Sequence, residues 1–153
     1  MKSKLIRLED RAMDKDFEPP FGIQFLVNKE TCDSQRVVMG YTVMPPNSRN
    51  QGHVHNNAEV VWHMMAGFNL HMWRSKDGTN FGEAPGSPGT FGYVSPGDYH
   101  TGINTRPDLK GEVIFCYAGV NDKDDADTVN VDPPEIVTEH LAALGLTLND
   151  LEL

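Results

Sequence analysis

Hydrophobic and polar positions alternate in short runs, and Gly and Pro break those runs at close intervals. Period-two alternation marks half-buried strands, since successive side chains point to opposite faces. Gly22–Val27, Val37–Met44, Val60–Ala66, Phe68–Trp73, Thr90–Ser95, Tyr99–Asn104 and Glu112–Ala118 read as strands. They are rich in β-branched and aromatic residues. Pro45-Pro46 stops the second run, and Pro96-Gly97-Asp98 is a tight turn. The runs either side of Ala66-Gly67 read as a hairpin. Residues 75–89 read as loop, with Asp77-Gly78 a turn inside it. Trp62, Trp73, Phe91, Tyr93, Met64 and Met65 are expected mainly in the core, with some lining a barrel mouth.

The pattern changes after residue 120. Asn121–Asp132 carries five aspartates and reads as an acidic loop. It lacks the sixth-position glycine and the twelfth-position glutamate of a calcium loop. Asp132-Pro133-Pro134-Glu135 reads as a helix start, with Asp132 as cap. Val137, Leu141 and Leu144 share one helical face, and Gly145 ends it. Many short strands followed by one helix predict an all-β sandwich or barrel. The expected organisation is an N-terminal arm (1–20), a barrel (21–120) and an acidic loop with a C-terminal helix packed on the barrel (121–153).

Composition narrows the function classes. The chain has 153 residues, 39% hydrophobic, enough for one domain with one core. A net charge of −9 argues against nucleic acid and anionic membranes as partners. No apolar run is long enough for a transmembrane helix, and the charged start lacks an apolar signal core, so the cytoplasm is the expected compartment. Cys32 and Cys116 make no disulfide framework and are expected as buried, inert thiols.

The chemistry-bearing stretch is Gly52-His53-Val54-His55-Asn56-Asn57-Ala58-Glu59. On an extended chain His53 and His55 face the same side, and two imidazoles with a carboxylate can hold a divalent metal. A helical reading would instead align His55, Glu59 and His63, but Val60, Val61 and Trp62 favour a strand. A second stretch runs Gly89-x5-Ser95-Pro96-Gly97-x2-His100-x3-Asn104.

With both stretches in order over residues 37–118, the chain resembles the cupin superfamily. In its first motif, His-x-His is followed after three or four residues by Glu, and Gly follows about six later; here it reads His53-x-His55-x3-Glu59-x7-Gly67. The longer gap to Gly67 suggests a bulge or a different turn. The resemblance implies a double-stranded β-helix, or jelly-roll barrel, with a short C-terminal helix. It implies His53, His55, Glu59 and His100 as metal ligands and Asn104 as a structural or supporting residue. It also implies a small-molecule enzyme, foremost an iron(II) dioxygenase whose substrate chelates the metal through oxygens.

The donor set equally suits manganese, nickel, cobalt or zinc. A non-redox lyase, isomerase or cyclase, or a barrel that binds without catalysis, stays open beside the dioxygenase. His63 and Tyr99 are the acid–base candidates; Arg49, His71 and Trp73 are the substrate-binding candidates; His140 reads as a surface residue. Sheet edges and apolar outer faces, together with the habit of the family, predict a homodimer.

Overall fold

The computed structural model describes residues 3–153, so the first two residues of the expected arm lie outside it. The strands are β1 (Gly22–Val27), β2 (Val37–Met44), β3 (Ser48–Arg49), β4 (His53–His55), β5 (Glu59–Ala66), β6 (Asn69–Arg74), β7 (Phe81–Gly86), β8 (Phe91–Val94), β9 (Tyr99–Asn104), β10 (Gly111–Ala118) and β11 (Thr128–Asn130). The helices are α1 (Lys29–Cys32) and α2 (Glu135–Ala143). All pairings between these strands are antiparallel.

One sheet has the order β1-β2-β10-β5-β8, and the other β11-β4-β9-β6-β7, with β3 also on β9. The main core lies between them. Val38 and Met44 of β2, Val60, Trp62 and Met64 of β5, and Val113, Phe115 and Tyr117 of β10 all face it at alternate positions. A second cluster lies on the other face of the β6/β9 sheet, where Leu70, Met72, Tyr99 and Ile103 meet Val137 and Leu141 of α2 and Leu151. Asn104, fully buried, donates from Nδ2 to the carbonyls of Pro45 (2.9 Å) and Leu109 (2.7 Å), tying β9 to two connections.

Several local expectations are corrected. The chain at Ala66-Gly67 is not a hairpin, because β5 pairs β10 and β8 while β6 pairs β9 and β7. Gly67 instead crosses between sheets at φ +77°, and a Cβ there would overlap the Lys110 carbonyl oxygen. Residues 75–89 are not all loop: β7 forms within them and pairs β6, and Asp77-Gly78 sits in the connecting turn. Pro134, not Asp132, is the residue before α2, and no side chain caps it. Val137 and Leu141 are buried, but Leu144 is exposed. Gly145, at φ +74°, does end the helix.

Phe91, Tyr93 and Met65 are exposed rather than core, lying on the outer face of the β5/β8 sheet. Cys32 and Cys116 are free but only half-buried; burial raises the Cys116 pKa. The expected bulge exists: the β5–β10 register shifts between Glu112/Val113, opposite Ala66 and Met64. Among the described residues no helix is long and apolar enough to cross a membrane.

Candidate metal centre

β4 is three residues long, and its alternation turns His53 and His55 inward with Val54 between them. His53 is the register partner of His100 on β9, which brings the third imidazole alongside. Ligand atoms of His53, His55 and His100 all lie within 4.8 Å of one another, and all three residues are buried. The Nε2 atoms of His53 and His55 are 3.2 Å apart. His53 Nδ1 lies 2.8 Å from the Gln51 carbonyl, which can only accept, so Nδ1 carries a proton and Nε2 is the atom turned toward the other imidazoles. His55 Nδ1 sits 2.8 Å from the Thr128 hydroxyl on β11, which can accept its proton in the same way. His100 Nε2 is buried with no partner among the described residues.

Convergent ring nitrogens, outer nitrogens fixed by hydrogen bonds and an orphaned Nε2 fit a divalent cation. Burial, then repulsion from His53, lowers the His55 pKa to about 3. Burial first, then the neighbouring histidines, holds His100 well below the ordinary range. Both are therefore neutral at physiological pH, the form that ligates.

A cavity of about 70 Å³ opens beside the cluster. His55, His71, His100, Asn50, Asn69 and Glu18 are among its polar residues; Phe21, Ile23, Met44, Val60, Val113 and Phe115 are among its apolar ones. His71 projects inward from β6, with ring centroids 5.5 Å from His100 and 4.7 Å from Trp62. Its Nε2 is buried without a partner, and burial followed by the charge at His53 lowers its pKa to about 3. Trp73 lies behind His71, stacked at 6.0 Å, outside the cavity wall.

Besides Trp73, four of the proposed site residues lie elsewhere. Glu59 is exposed, opposite Ala118, on the outer face of β5. Val60, buried in the cavity wall, takes the inward position. Counted from Val60, four residues follow His55 and six precede Gly67, which is the motif's ordinary spacing with valine in place of glutamate. His63 shares Glu59's parity and so also points outward, stacked 4.2 Å from Phe91, with Nδ1 3.2 Å from the Thr90 carbonyl. Tyr99 is adjacent to His100 and therefore faces the opposite side, buried among the residues beneath α2; burial raises its pKa to about 12. Arg49 is outside the cavity wall, its Nε 3.5 Å from the Leu148 carbonyl. His140 is partly buried rather than free, paired with Glu83.

Sequence reasoning missed Glu18, Asn50, Asn69, Thr128 and Tyr117, which come from separate elements and share no spacing pattern.

No protein-family model matches the sequence, and no curated protein matches it. Solved structures do match. The polyketide cyclase RemF from Streptomyces resistomycificus is 14% identical with a TM-score of 0.64, over 88% of this chain and 89% of that one. KdgF from Halomonas sp. is 13% identical with a TM-score of 0.62, over 80% of this chain and 98% of that one. Oxalate decarboxylase from Bacillus subtilis is 14% identical with a TM-score of 0.72, over 96% of this chain but only 38% of its own length. At such identities the likeness is one of fold.

Proposed function

From its cupin fold and the three buried imidazoles that converge inside it, we propose that this protein is a metal-dependent enzyme acting on a small molecule. The finer reading is an iron(II) dioxygenase whose substrate chelates the metal through oxygens. The observation that carries the metal-dependent reading is the approach of the His53 and His55 Nε2 atoms to 3.2 Å beside the unpartnered His100 Nε2. A divalent ion held there by His53, His55 and His100 would supply a Lewis acid and, as iron(II), the redox chemistry of a dioxygenase.

The rest is the work of the chain. Gln51 and Thr128 fix the rotation of two imidazoles. The unpartnered His71 Nε2 would hydrogen-bond a substrate oxygen. Apolar residues such as Phe21, Val60 and Phe115 keep bulk water from the reacting atoms and suit apolar dioxygen. The test is oxygen uptake by iron(II)-loaded protein over a panel of small diketones, enols and catechols. Uptake with at least one is expected; no uptake with any, in protein shown to hold iron, refutes the dioxygenase.

A non-redox reading has its own support, since RemF, nearly equal in length, is named a polyketide cyclase. It predicts turnover without oxygen on zinc or manganese, with His71 as the proton-transfer residue, because His63 and Tyr99 face away from the cavity.

We further propose that the partner at the protein surface is a second copy. Val37, Met39, Val61, Met65, Phe91 and Tyr93 are each more than a third exposed, on the outer face of one sheet. An apolar sheet face of that kind suits an isologous interface. Sedimentation equilibrium should give twice the 17.0 kDa chain mass, and Phe91→Glu should shift it toward the monomer; a monomeric wild type contradicts this. The two half-buried free thiols suit a reducing compartment such as the cytoplasm.

A further inference from the structure

The cluster takes no carboxylate from β5, since Glu59 faces outward. The cavity nevertheless contains one. Glu18 lies in the segment before β1, and its side chain is only 13% exposed. Its Oε1 is 3.6 Å from His53 Nε2. Its Oε2 accepts a hydrogen bond from Asn50 Nδ2 at 2.9 Å. Asn50 Oδ1 in turn accepts from Thr101 Oγ1 at 3.0 Å and from the Gly102 amide at 2.9 Å. One amide side chain thus ties Glu18 to the strand that carries His100. Among the described residues no lysine or arginine lies within ion-pair distance of Glu18.

These contacts are those of a fixed group. Two adjacent ligands at about 2.1 Å on an octahedral ion lie about 3 Å apart. His53 and His55 approach that separation at 3.2 Å, and Glu18 Oε1 stands 3.6 Å from the same His53 nitrogen. With Nδ1 held by the Gln51 carbonyl, His53 turns Nε2 toward the carboxylate oxygen. A metal-ligating nitrogen and a carboxylate oxygen thus face each other beside the cluster, where a divalent cation would be bound by both.

We propose that Glu18 is the fourth protein ligand of the metal, a carboxylate supplied by the N-terminal arm where the cupin motif would take one from β5. This rests on the three-histidine reading of the site. It has two consequences. A divalent ion held by three neutral imidazoles and one carboxylate would keep one net positive charge. Metal binding also fastens the arm across the cavity wall, so the order of residues before β1 becomes metal-dependent.

The experiment is a competition titration of Zn²⁺ against a chelator for the wild type, Glu18→Gln and Glu18→Ala, with Co²⁺ absorption spectra and limited proteolysis of the arm. Glu18→Gln keeps an oxygen for Asn50 and so tests the ligand without removing its support. Wild type should bind one ion, Glu18→Gln should bind at least tenfold more weakly, and Glu18→Ala at least as weakly as that. The Co²⁺ spectrum should change, and metal should protect the arm in the wild type alone. Wild-type binding with both variants within twofold and an unchanged Co²⁺ spectrum overturns this inference and leaves the three-histidine site standing. No binding by the wild type overturns both.

Discussion

Replacing His100 with alanine is expected to lower metal affinity by at least a hundredfold and to leave no more than a trace of activity. His100 Nε2 has no partner among the described residues and lies in the cluster with His53 and His55, so its removal takes away one of three nitrogen donors. Losing one imidazole from a small set weakens the bond count and the geometry together. His55→Ala should do the same and also leave the Thr128 hydroxyl without its 2.8 Å partner. The control is His63→Ala, whose side chain stacks on Phe91 outside the barrel. It should keep the full metal content, and ion content after gel filtration checks all three. If His100→Ala retains a full equivalent of metal, the assignment of the cluster is wrong.

The second large effect is on stability in acid. The folded pKa values of His55 and His71 are lowered to about 3, and that of His100 is also well below its ordinary value. In the unfolded chain each protonates near about 6.5. Between these values the unfolded state binds more protons than the folded state, so lowering the pH favours unfolding. The stabilisation is complete above about pH 6.5 and is lost as pH falls toward 3. Each histidine contributes a slope of about 1.4 kcal/mol per pH unit well below its unfolded pKa. Together they give roughly 4 kcal/mol per unit, against a typical total of about 5–15 kcal/mol for a domain.

Urea midpoints of metal-free protein should therefore fall steeply between pH 7 and 5. A tight metal ion should oppose the loss by binding only the folded state. His71→Gln should flatten the dependence by about a third, through a residue that is not in the ligand cluster. Equal midpoints at pH 7 and 5 in metal-free wild type would show that these histidines are not buried neutral.

Much of this site could be read before the fold was in view, and the reason is local geometry. His53-Val54-His55 needs only a strand to place two imidazoles on one side, and the strand pattern of the flanking residues was clear. His100 followed from the second motif, and β9 does pair it with His53. Parity was also legible: Glu59, Val61, His63 and Met65 do share a face. Which face was not, because the turn at Asn56-Asn57-Ala58 decides it, and one residue of slip exchanges inside for outside. Glu18 and Thr128 were hidden for another reason: they reach the cluster only through pairing between distant segments, and no spacing along the chain encodes that. The same limit applies to Gly67, whose role as a crossing between sheets depends on the close approach of Lys110.

The central claim is that His53, His55 and His100 hold a divalent metal inside the barrel. X-ray absorption at the metal edge, on protein purified anaerobically and brought to one equivalent of ion, tests it most directly. The account predicts one tightly held ion per chain, a first shell of nitrogen and oxygen near about 2.1 Å with imidazole scattering, and no sulfur. A chain that holds no stoichiometric ion, or an ion whose first shell contains cysteine sulfur or lacks imidazole, would contradict it.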